Sequence, residues 1–175
     1  MQTSPHTSGY RIQRVYVADQ TYKIVPEEGL LEGTAPVDRQ ANFGWDWRPI
    51  SSRVFEVVIE ISIAPIKEAP EQMSVRLIGI FSAGKGELSI PFPQFVRRNA
   101  PAILFPYARE VISTMSGRGP HGAFHLHPLN VSTLTSGFDL SQTTGTAFLD
   151  ANPDFARDFG LDYRPESKRT VANEG

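Results

Sequence analysis

Three histidines fall close together in one extended stretch of the chain, His121, His125 and His127. A His-x-His pair on extended backbone puts both rings on one side, a placement that suits a metal. A zinc site needs three or four ligands at fixed geometry, and neither cysteine nor a suitably spaced carboxylate stands nearby. The segment therefore reads as a polar connecting edge, and no metal is expected. Asp46, Asp150 and Asp154 could act as acids or bases, but nothing pairs them with a nucleophile; solubility and helix capping account for them. Gly84-Lys85-Gly86 is too short to cradle a phosphate, and no Gly-x-Ser-x-Gly occurs. The absence of cysteine removes disulfides, thiolate ligands and a thiol nucleophile. No catalytic residue and no cofactor can be assigned, so the expectation is a protein that is not an enzyme.

Composition narrows the alternatives. At 175 residues, with 40% hydrophobic and 21% charged residues, the chain is long enough for one well-filled domain. A net charge of −2 offers no electrostatic case for nucleic acid or an anionic membrane, and Arg97-Arg98 and Lys168-Arg169 read as solvated ends. Residues 1–9 are polar, without the order of a signal peptide, and no apolar run approaches a membrane span. A soluble cytoplasmic protein is expected.

The elements that would position any site come next. A first strand begins at Tyr10, with a break in alternation near Arg14 that a bulge or a strand buried on both faces would explain. A second, weaker strand covers Gln40 to Trp47 and puts Ala41, Phe43, Trp45 and Trp47 on one side. The third is the clearest: Phe55, Val57, Ile59, Ile61 and Ile63 alternate with more polar positions, and a fourth returns through Met73, Val75, Leu77, Gly79 and Phe81. From Asn99, read as a cap, an amphipathic helix runs to Gly117, with Leu104, Ala108, Val111, Ile112 and Met115 on one face and a kink or a restart expected at Pro106. Residues 132–146 read as a linker, 152–160 as a short helix opened by Asn152 and Pro153, and the remainder to 175 as a polar tail. Strands first and helices after predict an α+β fold: a four-stranded antiparallel sheet with a long and a short C-terminal helix on one face. One helix and a short tail cover such a sheet incompletely, which predicts self-association or a binding surface. Leu30, Leu31, Phe43, Trp45 and Trp47 are each ordinary core residues, yet beside Gly/Pro-rich loops they also suit an adaptable apolar groove.

The run Ile103-Leu-Phe-Pro-Tyr-Ala-Arg-Glu-Val-Ile112, with Arg118-Gly119 and then Leu126-x-Pro128-Leu-Asn130, closely resembles the SecB family of protein-export chaperones. The resemblance extends through Ile12-Gln-Arg-Val-Tyr16 with Asp19, Val54-Phe-Glu-Val-Val58 and Gly79-Ile-Phe81, covering residues 10–131 as one chaperone domain. It implies an ATP-independent holdase that binds unfolded or precursor polypeptides in long apolar grooves and keeps them competent for export. It also implies a homotetramer built as a dimer of dimers. A groove with flexible aromatic walls trades specificity for breadth, and several weak contacts to one client give avidity. By that resemblance the groove would draw on Leu30, Leu31, Ala41, Phe43, Trp45, Trp47, Leu126, Leu134 and Phe138. Self-association would draw on Tyr107, Val111, Ile112 and Met115 of the helix, with Ile78 and Ile80 on the far face of the sheet.

The partner SecA is implied too, through acidic residues exposed on the sheet. Asp19 matches one such position. Lys23 reverses the charge at the next, and the family's leucine and glutamate on strand four fall at Gln72 and Ser74; the tail has no clear match to the family's SecA-binding one. A reversed charge at a docking patch weakens or redirects a steered encounter. The alternatives are a dedicated chaperone of one client, such as an antitoxin, uncoupled from SecA, and a metal or small-molecule module using the histidines.

Overall fold

The computed structural model describes residues 9–25, 39–51, 53–66, 69–84, 88–127 and 143–152. Four strands, β1 (Tyr10–Ile24), β2 (Ala41–Ser51), β3 (Val54–Ile63) and β4 (Glu71–Ala83), form one antiparallel sheet in the order β1-β4-β3-β2. The two central strands carry the strictest apolar alternation, because one face is wholly covered. Phe55, Val57, Ile59, Ile61 and Ile63 of β3 and Met73, Val75, Leu77 and Phe81 of β4 are all at most 1% exposed. The edge strand β1 is mostly exposed. Its register against β4 slips between Ile12 and Arg14 and again between Val17 and Asp19. Of the two explanations for the broken alternation, the first slip supports the bulge, while the exposure of β1 rules out a strand buried on both faces; such slips twist an edge away from flat pairing.

The helix over this face starts earlier than the sequence suggests. A single turn, α1 (Phe92–Gln94), and a π turn (Phe95–Asn99) run straight into α2 (Ala100–Ser116). Asn99 therefore has helical backbone and makes no side-chain cap bond, because the chain ahead of it is already wound. The π turn carries Phe95 and Val96, both buried. Phe95 stacks on Tyr10 at 3.8 Å between ring centroids and meets Phe81 edge-on at 5.5 Å. Phe92 sits edge-on to Phe55 at 4.8 Å and to Trp47 at 5.1 Å. Such contacts add about 0.5–1.5 kcal/mol per pair beyond the area they bury.

α2 lies across β3 and β4 and buries Leu104, Ala108 and Ile112. Pro106 lies inside it without ending it. Ala102, whose carbonyl loses its donor to the proline, is exposed, so water can satisfy that carbonyl. Gly117 is the C-cap, and its N–H donates to the Ser113 carbonyl at 3.0 Å.

Among the described residues a further helix, α3 (Thr144–Ala151), begins within the stretch expected to be a linker. Thr143 caps it by accepting from the Thr146 N–H at 3.3 Å, and Asn152 stands at its C-terminal end. The expected helix over 153–160 lies outside the described residues. Among the described residues, no helix is long and apolar enough to cross a membrane.

Candidate functional site

β2 is the edge strand on the side away from β1, and its inward side chains meet the helices only in part. Ala41, Phe43 and Trp45 are partly buried against the core. The Phe43 ring lies 6.4 Å from that of Phe105 on α2, tilted by 58°. Trp45 donates its indole N–H to the Val96 carbonyl at 2.8 Å, which fixes the ring against the π turn. The result is a partly buried row with aromatic surface along one edge of the domain, anchored through the Trp45 indole.

Trp47, two residues further along the same row, is 3% exposed. It lies beneath α3 at Gly145, where a Cβ would come within 2.1 Å of the indole, so only glycine permits this approach. Asp46 holds the same helix: Thr144 donates its N–H to Asp46 Oδ1 at 3.0 Å and its hydroxyl to Oδ2 at 2.6 Å. The aspartate that resembled an acid–base candidate is thus an anchor for a helix end.

The segment after α2 comes back toward the start of β2, where Arg39 meets Phe124. Ser116, buried, accepts the Phe124 N–H on Oγ at 2.6 Å, and Ser113 Oγ lies 3.2 Å from His125 Nδ1, so the chain folds back along the helix. Phe124 is partly buried and Leu126 is 4% exposed. Arg39, just ahead of β2, lies over the Phe124 ring at 5.5 Å.

One polar cluster joins these pieces. Glu71, at the start of β4, pairs through Oε2 with Arg39 Nη2 and through Oε1 with His121 Nδ1, the latter at 2.6 Å. Arg39 Nη1 also donates to the Glu71 carbonyl at 3.2 Å. Burial would raise the Glu71 carboxyl. The hydrogen bond from His121, a backbone hydrogen bond and the charges of Arg39 and His121 outweigh it and bring the carboxyl below its usual range. Tyr22 sits at the rim, its hydroxyl raised by burial and then by Glu71. His121 and His125 have separate partners, and among the described residues no three of His, Cys, Asp and Glu gather as metal ligands.

The residues expected to self-associate are spread over two faces. On α2, Tyr107 is 48% exposed, Val111 and Met115 are partly buried, and Ile112 is fully buried against the sheet. Val111 and Met115 line an open groove of about 430 Å³ between α2 and β1, together with Gln20 and Tyr22. Ile78, 7% exposed, and the partly exposed Ile80 face away from α2. Asp19 is exposed and stands opposite Arg76 in the sheet register, with Glu60 on the other side of Arg76. Leu30, Leu31, Leu134, Phe138 and Asp154 lie outside the described residues. Sequence reasoning singled out neither Phe105 nor the Arg39–Glu71 pair; the spacing of Phe105 from Leu104 and Ala108 on α2 is the signal that could have found the first.

A family model described as preprotein translocase subunit SecB matches residues 3–137. The protein-export protein SecB of Histophilus somni (strain 2336) is 27% identical over 128 residues, 71% of this chain and 74% of that protein. Its counterpart from Actinobacillus succinogenes is 26% identical over 128 residues, covering 71% and 76%. Among solved structures, a Mycobacterium tuberculosis SecB-like chaperone in complex with a ChAD peptide from the HigA1 antitoxin superposes with a TM-score of 0.54 at 12% identity. The match covers 69% of this chain and 90% of that one, and it is a likeness of fold.

Proposed function

The chain belongs to the SecB family, and from that premise we propose that it is an ATP-independent holdase that keeps unfolded precursor polypeptides competent for export. The observation that carries the reading is the partly buried row of Ala41, Phe43 and Trp45 beside Phe105. An unfolded chain offers backbone and scattered apolar side chains, and aromatic rings accept many of these without demanding one sequence. Leu126, and Trp47 beneath α3, are packed support behind this row and not surface that a client would touch. Binding is non-covalent, no residue is assigned a catalytic role, and no cofactor is invoked. The protein works in the cytoplasm as a dimer of dimers: Ile103 at 40% and Tyr107 at 48% exposure give α2 an uncovered apolar face for a second copy. Calorimetry with a reduced, carboxymethylated unfolded polypeptide tests the holdase reading; saturable, nucleotide-independent binding is expected, and none at micromolar chain would refute it.

A second reading is favoured by the outer face of the sheet. Asp19 there is matched by Arg76, and Lys23, Gln72 and Ser74 are neither acidic nor apolar. An electrostatically steered encounter that relies on acidic residues at these positions would be weakened on such a patch. A chaperone dedicated to one labile client, of the antitoxin kind bound by the Mycobacterium tuberculosis neighbour, would not need SecA. Titration with SecA separates the two: binding supports general export, and its absence alongside client binding supports the dedicated role.

A further inference from the structure

Glu71, Arg39 and His121 come from three separate parts of the chain and meet with side chains only 3%, 4% and 11% exposed. Each carboxylate oxygen serves a different segment. Oε2 takes Arg39, which leads directly into the aromatic row of β2, and Oε1 takes His121, which leads into Phe124 and Leu126. An ionised carboxylate only accepts, so His121 Nδ1 carries the hydrogen. Arg39 ties the two segments a second time by covering Phe124. The turn that aims His121 at Glu71 is itself constrained: a Cβ on Gly119 would stand 1.9 Å from the Tyr22 hydroxyl, and Gly122 adopts a φ of 72°.

A buried ion pair adds little net stability over apolar side chains of the same volume, whereas removing one partner is costly. What such a pair supplies instead is direction, because each hydrogen bond fixes an angle and a distance. We propose that Glu71 is a positioning residue for client binding: one carboxylate holds both walls of the groove, β2 through Arg39 and the post-helix segment through His121, and so sets their separation. The proposal rests on the holdase reading and deepens it by naming what holds the groove in shape. Neither the apolar row nor the helix alone fixes that separation, since the lead-in to β2 and the chain after α2 share no strand pairing.

The experiment uses the full chain with His121→Ala, which leaves the Arg39–Glu71 pair intact and so spares the sheet, and with Glu71→Gln, which weakens both attachments. Two measurements are made on each: hydrogen exchange of residues 39–46 and 120–127, and affinity for the reduced, carboxymethylated polypeptide. His121→Ala should speed exchange in 120–127 alone, Glu71→Gln in both segments, and each should weaken client binding about tenfold, the scale of one charge-assisted hydrogen bond. His121→Gln, which keeps a donor, should recover part of the loss. Unchanged exchange in 120–127, or faster exchange with unaltered affinity, overturns the inference while client binding by the native chain still upholds the holdase reading. A native chain that binds no client refutes the holdase reading, and the inference falls with it. If Glu71→Gln does not fold, the His121 variants alone decide.

Discussion

Replacing Gly145 by alanine sets two effects of known sign against each other. In an isolated helix the change would stabilise α3 by about 1 kcal/mol, because alanine restricts the unfolded backbone more than glycine does. Here the added Cβ would stand 2.1 to 2.5 Å from three atoms of the Trp47 ring. That ring cannot yield easily: it is 3% exposed and wedged edge-on against Phe92 at 5.1 Å. Overpacking of this kind costs about 1–3 kcal/mol. If α3 moves outward to relieve it, the two solvent-exposed bonds from Thr144 to Asp46 are also strained, each worth about 0.5–1 kcal/mol. The steric side wins, and Gly145→Ala should loosen α3 from β2. The assay is tryptophan emission with an acrylamide titration, combined with a thermal melt. Trp47 should become quenchable and its emission red-shifted, with a Tm lower by roughly 2–8 °C. A variant that melts higher than the native chain, with Trp47 still shielded, would show propensity prevailing and would refute the docking of α3 on that ring.

Phe43→Asp should weaken client binding by about tenfold or more while the fold persists, because the ring is only partly buried; circular dichroism that reports unfolding would instead assign Phe43 to the core. Leu104→Ala removes a fully buried side chain that faces β4 and should cost about 2–5 kcal/mol in urea unfolding; a loss under 1 kcal/mol would contradict the packing. The Glu71 carboxyl lies below its ordinary range when folded, so its contribution to stability is complete above the unfolded carboxylate value and fades as pH falls through the folded one. Glu71→Gln should therefore flatten the acid limb of the stability curve, and an unchanged limb would refute the assignment. Lys23→Glu, which restores an acidic docking position, should strengthen any SecA binding seen by calorimetry; no gain would argue that the outer face is not a SecA surface.

The sheet was legible because its signal is local. β3 alternates over ten residues, and no competing pattern explains Phe55 to Ile63. α2 was legible for the same reason, through a stripe at three- and four-residue spacing. The stretch ahead of it was not, since Pro91 and Pro93 resemble loop punctuation and nothing local tells of the partners that wind Phe92 to Asn99. The pattern Phe92, Phe95, Val96, Ala100 and Leu104 was the available clue. α3 was hidden by its own composition: Thr-Gly-Thr reads as linker, and its helix is held by Trp47 and Asp46 from β2. The aromatic row on β2 was visible, but its division into partly buried Phe43 and Trp45 and buried Trp47 depends on where α3 lies. The Glu71 cluster was invisible, because Arg39 and His121 lie far from it in sequence and meet it only in the folded chain.

The strand order has a consequence for the way the chain acquires its shape. β1 pairs only with β4 in the sheet, Ile24 with Glu71 at one end and Tyr10 with Ala83 at the other, while β2, β3 and β4 form a simple meander. Closing that long loop costs entropy before any contact repays it, so the local hairpins form first and β1 docks afterwards. During synthesis β1 emerges before the other three strands yet must wait until β4 has left the ribosome. For that interval its exposed Ile12, Tyr16 and Val17 are an unpaired, apolar edge. A chain that would shelter unfolded polypeptides thus spends its own earliest moments as one.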